Sequence, residues 1–166
     1  MVAELKLEKG QLVVYPAHGV GVIEGIEKQE IAGIALELLL IRFDKDRLLL
    51  KLPVSKIKDV GLRKLCSPQT VKKAIETLKT PIKRKKTMWS RRAQEYEAKI
   101  NSGDLIAIAE VMRSLYRVDG EINQSYSERQ IYQEAFTRFL KEYSAVENIE
   151  INQATKDIEE FLASVA

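Results

Sequence analysis

The hydrophobic pattern of this chain changes period near residue 62, and that change limits the fold more than any other feature. Before it, apolar residues tend to alternate, as they do on half-buried strands. After it, they recur every three or four residues, as along one face of a helix. With 166 residues the chain is long enough to bury a core without disulfide or metal support. We expect an α+β protein of two domains: a small β-barrel over residues 1–62 and a compact all-α bundle over residues 63–166.

The β part divides into short strands. Gln11–Tyr15 is β-branched and stops at Pro16. Val20–Ile31 alternates loosely around Gly21 and Gly25, residues that weaken a strand or mark bends. Ala32-Gly33 reads as a turn, Ile34–Phe43 as a long strand, Asp44–Arg47 as a polar hairpin connection, and Leu48–Val54 as a further strand. Four or five short strands at this spacing suggest a small barrel, which removes most free edges by closing. Leu48-Leu49-Leu50 is apolar on both faces, so either both are buried or one meets a partner.

The helical part is punctuated by capping residues. Ser67-Pro68 opens a helix with Val71, Ile75 and Leu78 on one face, and Thr80-Pro81 closes it. A helix over about Ser90–Asn101 stops at Gly103. Asp104 caps the next, whose buried stripe is Leu105, Ile108, Val111, Met112 and Leu115. Asp119–Gln124 reads as a loop. Ser125 with Glu128 matches a capping box for a helix bearing Ile131, Tyr132, Ala135, Phe136, Phe139, Leu140 and Tyr143. Asn152 is expected to cap a last helix with Ile158, Phe161, Leu162 and Val165 on its apolar side.

Catalysis and metal binding find little support. The single histidine, His18, lies between Pro16 and Gly19 with no nucleophile motif, and reads as a turn residue. The single cysteine, Cys66, precludes an intramolecular disulfide and a zinc cluster, which suits a reducing compartment. Gly19, Gly21 and Gly25 do not form a dinucleotide or phosphate loop. We therefore expect no enzyme activity, no cofactor and no metal. No stretch reaches the roughly 20 apolar residues of a membrane helix, and no apolar signal core begins the chain, so a cytoplasmic protein without a membrane partner is expected.

Charge is unevenly distributed. Residues 1–60 are net neutral, residues 61–118 carry +9 and residues 119–166 carry −6. Within the segment 79–92, Lys79, Lys83, Arg84, Lys85, Lys86, Arg91 and Arg92 occur with no acid among them. A charge run is commonly a solvated linker, but Met88 and the only tryptophan, Trp89, lie inside this one. Trp89 could be core. It could also be the first member of a hydrophobic staple, although its partner behind a Ser90 cap would be the polar Gln94. The third reading is an exposed ring at a helix start, flanked by cations that bind phosphates while the ring wedges into or stacks on a base step.

The motifs in which these residues stand resemble those of the CarD/CdnL family of bacterial transcription regulators. The N-terminal match is Gly10-Gln11-Leu12-Val13-Val14-Tyr15-Pro16-Ala17-His18-Gly19-Val20-Gly21. The C-terminal matches are Trp89-Ser90-Arg91-Arg92, Asn101-Ser102-Gly103-Asp104-Leu105 and Ala109-Glu110-Val111-Met112-Arg113. The resemblance implies a Tudor-like N-terminal module that binds the β1 lobe of the RNA polymerase β subunit. It implies a helical module that meets promoter DNA at the upstream edge of the transcription bubble. There the family tryptophan, matched by Trp89, wedges into the minor groove, with Arg91, Arg92 and Arg129 at family basic positions and Lys85 and Lys86 in the adjoining basic run. Lys51 matches a polymerase-contacting cation, and Leu49 stands on the same strand. A further family arginine is replaced by Gln29, leaving Lys28 as the neighbouring cation to take that contact. The β module of the transcription-repair coupling factor is related, but its motor is excluded because this chain has no phosphate loop.

The expected function is a non-catalytic, monomeric initiation factor, associated with the nucleoid through RNA polymerase, that stabilises the open complex. The alternative is a protein-only adaptor in which the basic segment is a solvated linker. A nucleic-acid binder using the small barrel would need exposed aromatics there, and only Tyr15 and Phe43 are available.

Overall fold

A computed structural model describes residues 8–43, 47–81, 88–116 and 126–164. The chain clusters into two compact units, Met1–Leu65 and Cys66–Ala166. The first contains strands β1 (Leu12–Tyr15), β2 (Gly19–Ile31), β3 (Ile34–Phe43), β4 (Leu48–Pro53) and β5 (Arg63–Lys64). A 3-10 turn at Val54–Lys56 and a short helix α1 (Ile57–Val60) precede β5. The second contains α2 (Pro68–Leu78), α3 (Trp89–Asn101), α4 (Leu105–Leu115), α5 (Tyr126–Glu147) and α6 (Ile151–Ala163).

The strands form one antiparallel sheet in the order β4-β3-β2-β1-β5. The α+β division stands, but the sheet is not closed into the expected barrel among the described residues: its ladder ends at β4 on one side and β5 on the other. β5 also carries the β unit beyond residue 62, because Arg63 and Lys64 pair with Val14 and Val13.

β2 and β3 form a hairpin around Ala32 and Gly33, with Ile31 in register with Ile34. Both turn residues have positive φ, 53° and 81°, the geometry whose twist matches that of a two-residue hairpin. The sheet's core comprises Val13, Ile23, Leu39, Ile41, Phe43 and Leu52, closed by Ile57 and Leu62. Gly21 lies tight against it: a Cβ there would stand 2.7 Å from Ile41 Cγ2 and 2.7 Å from Phe43 Cε1.

A β-bulge shifts the β2–β3 register between Ile23 and Gly25. Ile23 lies opposite Ile41 before it, and Ile26 lies opposite Leu39 after it. One extra residue reverses the facing of the distal half of β2. Odd-numbered positions, which point into the core at Ile23, therefore point away from it at Glu27 and Gln29.

In the second unit α4 is central. Leu105, Ile108, Ala109, Val111, Met112 and Leu115 are all buried, and α4 packs against α2, α3 and α5. Local capping explains two helix starts. Ser67 Oγ accepts from Thr70 N at 3.3 Å, and Asp104 Oδ1 accepts from Ile106 N at 3.0 Å. Two other expected starts shift. α3 begins at Trp89, one residue before the expected start, with Met88 rather than Ser90 at its N-cap. α6 begins at Ile151 with Glu150 at the N-cap and no side-chain cap bond, so Asn152 lies inside the helix rather than before it. Ser125, the expected cap of α5, is outside the described residues.

Candidate functional site

α3 is anchored at its C-terminal end. Ile100 is its one residue in the buried core, and the Ile100 carbonyl accepts from Arg138 Nη1 of α5 at 3.1 Å. Arg138 is also 3.1 Å from Glu134 Oε1, and burial lowers its pKa while Glu134 opposes that shift. Lys99 Nζ donates to Glu110 Oε2 of α4 at 2.9 Å. These bonds fix the helix axis and leave its N-terminal turn as the end that carries Trp89.

That turn gathers three expected residues. Arg92 lies over the Trp89 ring with its guanidinium carbon 5.3 Å from the centroid, and Tyr96 is 6.3 Å away on the same helix. Arg91 is 77% exposed, 3.9 Å from Glu95. Trp89 itself is partly buried and packs against the helical core, so it is neither a free ring nor a core residue. Met88, the N-cap residue, is 78% exposed and its side chain makes no cap hydrogen bond. The N-terminal dipole and these cations give the turn a positive field. Arg129 is exposed in the first turn of another helix, α5. Lys85 and Lys86 are outside the described residues.

The remaining expected residues lie on the sheet. On β4, Leu49 and Lys51 lie opposite Arg42 and Leu40 and point away from the core. Gln29, opposite Leu36, shares that face because of the bulge. Lys28 lies opposite Glu37 and points to the other face of the sheet. Lys51 Nζ reaches Glu27 Oε2 at 3.5 Å; both side chains are about half exposed, 48% and 41%, so the pair contributes at most about 1 kcal/mol and can exchange partners. Leu49 is 48% exposed.

Beside Leu49 lies an open cleft of about 410 Å³ lined by Glu24, Leu40, Arg42, Phe43, Arg47 and Leu49. Arg42 Nη1 meets Glu24 Oε1 across it at 2.6 Å. Sequence reading missed this cleft, although the run Leu48-Leu49-Leu50, apolar on both faces, signalled that one side of β4 could stay exposed. His18 lies at the β1–β2 turn, with its ring centroid 5.2 Å from Tyr15 and 5.4 Å from Phe43. Among the described residues, no group of three or more His, Cys, Asp or Glu is placed to hold a metal ion, and no helix is long and apolar enough to cross a membrane.

The β unit thus presents a half-exposed leucine and a half-exposed lysine on its outer sheet face, and the helical unit an aromatic–cationic turn at the start of α3. Residues 7–66 match the family model described as CarD-like/TRCF RID domain, and residues 73–159 match that described as CarD, C-terminal domain. The chain is 26% identical over 140 residues to YdeB of Bacillus subtilis (strain 168), covering 84% of this chain and 92% of that protein. It also matches the solution structure of the 72-residue N-terminal domain of Myxococcus xanthus CarD, at 34% identity and a TM-score of 0.31, over 37% of this chain and 81% of that one. This chain belongs to the CarD family. Family membership places it among transcription regulators that interact with RNA polymerase.

Proposed function

We propose that the β unit docks on the RNA polymerase β subunit, at its β1 lobe, and that the helical unit holds promoter DNA at the upstream edge of the bubble. The outer sheet face is the docking surface, with Leu49 as apolar anchor, Lys51 as the cation and Gln29 at its margin. Among the described residues β4 pairs on one side alone, with β3, and its other edge offers main-chain donors and acceptors that a partner strand can use. The first turn of α3 is the DNA contact. Arg91, Arg92, Lys85, Lys86 and Arg129 supply charge for phosphates, and Trp89 supplies an aromatic surface for an unstacked base.

One observation carries this reading: the only tryptophan stands at a helix start whose N-cap side chain, Met88, makes no cap bond, with Arg92 across its ring and Arg91 beside it. Weak DNA affinity suffices, because docking raises the local concentration of the helical unit. Melted DNA offers a base edge that closed duplex does not, so the factor favours the open state and shifts the population toward it.

The second reading, a protein-only adaptor, is favoured by the packing of Trp89 against the helical core. A titration of the full chain with fork-junction DNA separates the two. With about three to five phosphate contacts, log affinity falls against log salt with a slope of about −3 to −4.5. A flat response, with Trp89 fluorescence unchanged on adding DNA, supports the adaptor. Loss of binding to polymerase β in Lys51→Glu and Leu49→Ala tests the docking face, and unaltered binding in both overturns it.

A further inference from the structure

We propose that Met88 is a second apolar contact for the unstacked base, placed beside Trp89. This rests on the DNA-holding reading above and adds a residue to it. Four observations single Met88 out.

First, the two neighbouring apolar side chains differ in freedom. The Trp89 indole is engaged by Arg92 and Tyr96 and packs on the helical core. Met88 is 78% exposed, the most exposed large apolar side chain among the described residues. Second, no core or capping contact among the described residues calls for methionine here. Met88 is the N-cap of α3, with φ −56° and ψ 142° and no side-chain cap bond. Ser, Thr, Asp or Asn at this position would satisfy a first-turn N–H, and methionine forgoes that bond. Its carbonyl accepts from Arg92 N at 3.1 Å, as any residue's would. Third, a hydrophobic staple does not account for it, because staples join the residue before the N-cap to the fourth helical residue, and that residue is Arg92. Fourth, methionine suits the contact. It is unbranched and polarisable, fills irregular gaps, and is among the apolar side chains that enter base steps.

The two residues thus divide the task. Trp89, held by its neighbours, supplies a fixed aromatic edge, and Met88 supplies an adaptable side chain that follows the displaced base. The ligand class is an unpaired nucleobase at a duplex–single-strand junction.

The test is open-complex lifetime with polymerase and the full-length factor, for Met88→Ala, Met88→Leu, Met88→Gln and Trp89→Ala. Met88→Ala and Met88→Gln should shorten the lifetime about threefold to tenfold, below the ceiling set by a full base stack. Met88→Leu should remain close to wild type, and the melting temperature of all three Met88 variants should match wild type because the side chain is exposed. If Trp89→Ala shortens the lifetime while Met88→Ala does not, the Met88 contact is overturned and the DNA reading stands. If neither shortens it, the DNA reading itself fails. A Met88→Leu variant as impaired as Met88→Ala overturns the claim that an apolar side chain is what matters.

Discussion

Arg92 lies across the indole of Trp89, one helical turn along α3, at 5.3 Å from the ring centroid. A cation–π contact at a partly exposed site contributes about 0.5–1 kcal/mol, which is small for stability but enough to restrict how the ring turns. On the proposed DNA-holding reading, Arg92 therefore has two uses, one as a phosphate cation and one as a brace for the aromatic ring. Arg91, 77% exposed and 3.9 Å from Glu95, would have only the first on that reading.

The two arginines should therefore separate in mutagenesis. Arg91→Ala should weaken binding to fork-junction DNA evenly and flatten the salt slope by about 0.9. Arg92→Ala should flatten it equally and lose additional affinity, because the ring is no longer braced. Anisotropy titrations across salt concentrations measure both.

Gly21→Ala should destabilise the β unit by about 1–3 kcal/mol, because the new methyl group overpacks the core. The atoms it meets, Ile41 Cγ2 and Phe43 Cε1, belong to buried side chains with little room to move. Denaturant unfolding of the variant measures the loss.

Arg113→Met should cost the helical unit about 2–4 kcal/mol through loss of charge-assisted hydrogen bonds at partly buried sites. Arg113 Nη1 donates to Leu78 O at 2.9 Å and to Leu162 O at 3.0 Å, so one side chain on α4 closes the C-terminal ends of α2 and α6. A cation at two helix C-termini also complements both dipoles. Thermal unfolding checks this, and Arg113→Lys should recover part of the loss.

Alkaline stability should fall off early. Burial raises the Tyr143 pKa from 10.0 to about 12, helped by the Asp157 carboxylate that accepts its hydroxyl proton at 3.2 Å. Tyr132 is also raised, by burial first and then by Tyr116 and Glu159. A folded pKa above the unfolded one means that the stabilisation is complete below pH 10.0 and is lost as pH climbs through about 12. Melting temperatures should decline over that window, and Tyr143→Phe should decline less steeply. Ultraviolet titration of tyrosinate formation measures the pKa directly.

What could be read from the sequence is what local chemistry decides. Ser67 and Asp104 cap their own helices, so their residue types announced the starts of α2 and α4. The α4 stripe was legible because burial on one helix face repeats with the helix period. Asn152 misled, because a capping residue type just inside a helix resembles one just before it. β5 was missed because two residues carry no period, and only pairing with β1 makes them a strand. Barrel closure was not legible for a related reason: it depends on how two distant edges meet, which strand spacing does not encode, and the described strands form an open ladder.

The candidate site divides in the same way. The clustering of Trp89, Arg91 and Arg92 was visible because they share one helical turn. The separation of Gln29 from Lys28 was not, because it depends on a bulge at Ile23/Gly25 that reverses the facing of everything beyond it. The partial burial of Trp89 was also hidden, since it depends on packing against the helical core.

The most direct test of the central claim is the lifetime of promoter open complexes formed with the wild-type factor and with Trp89→Ala. If the ring stacks on an unpaired base, its removal should shorten the lifetime by about fivefold to a hundredfold at most, with binding to polymerase unchanged. Equal lifetimes for the two proteins, at equal polymerase occupancy, would contradict the account.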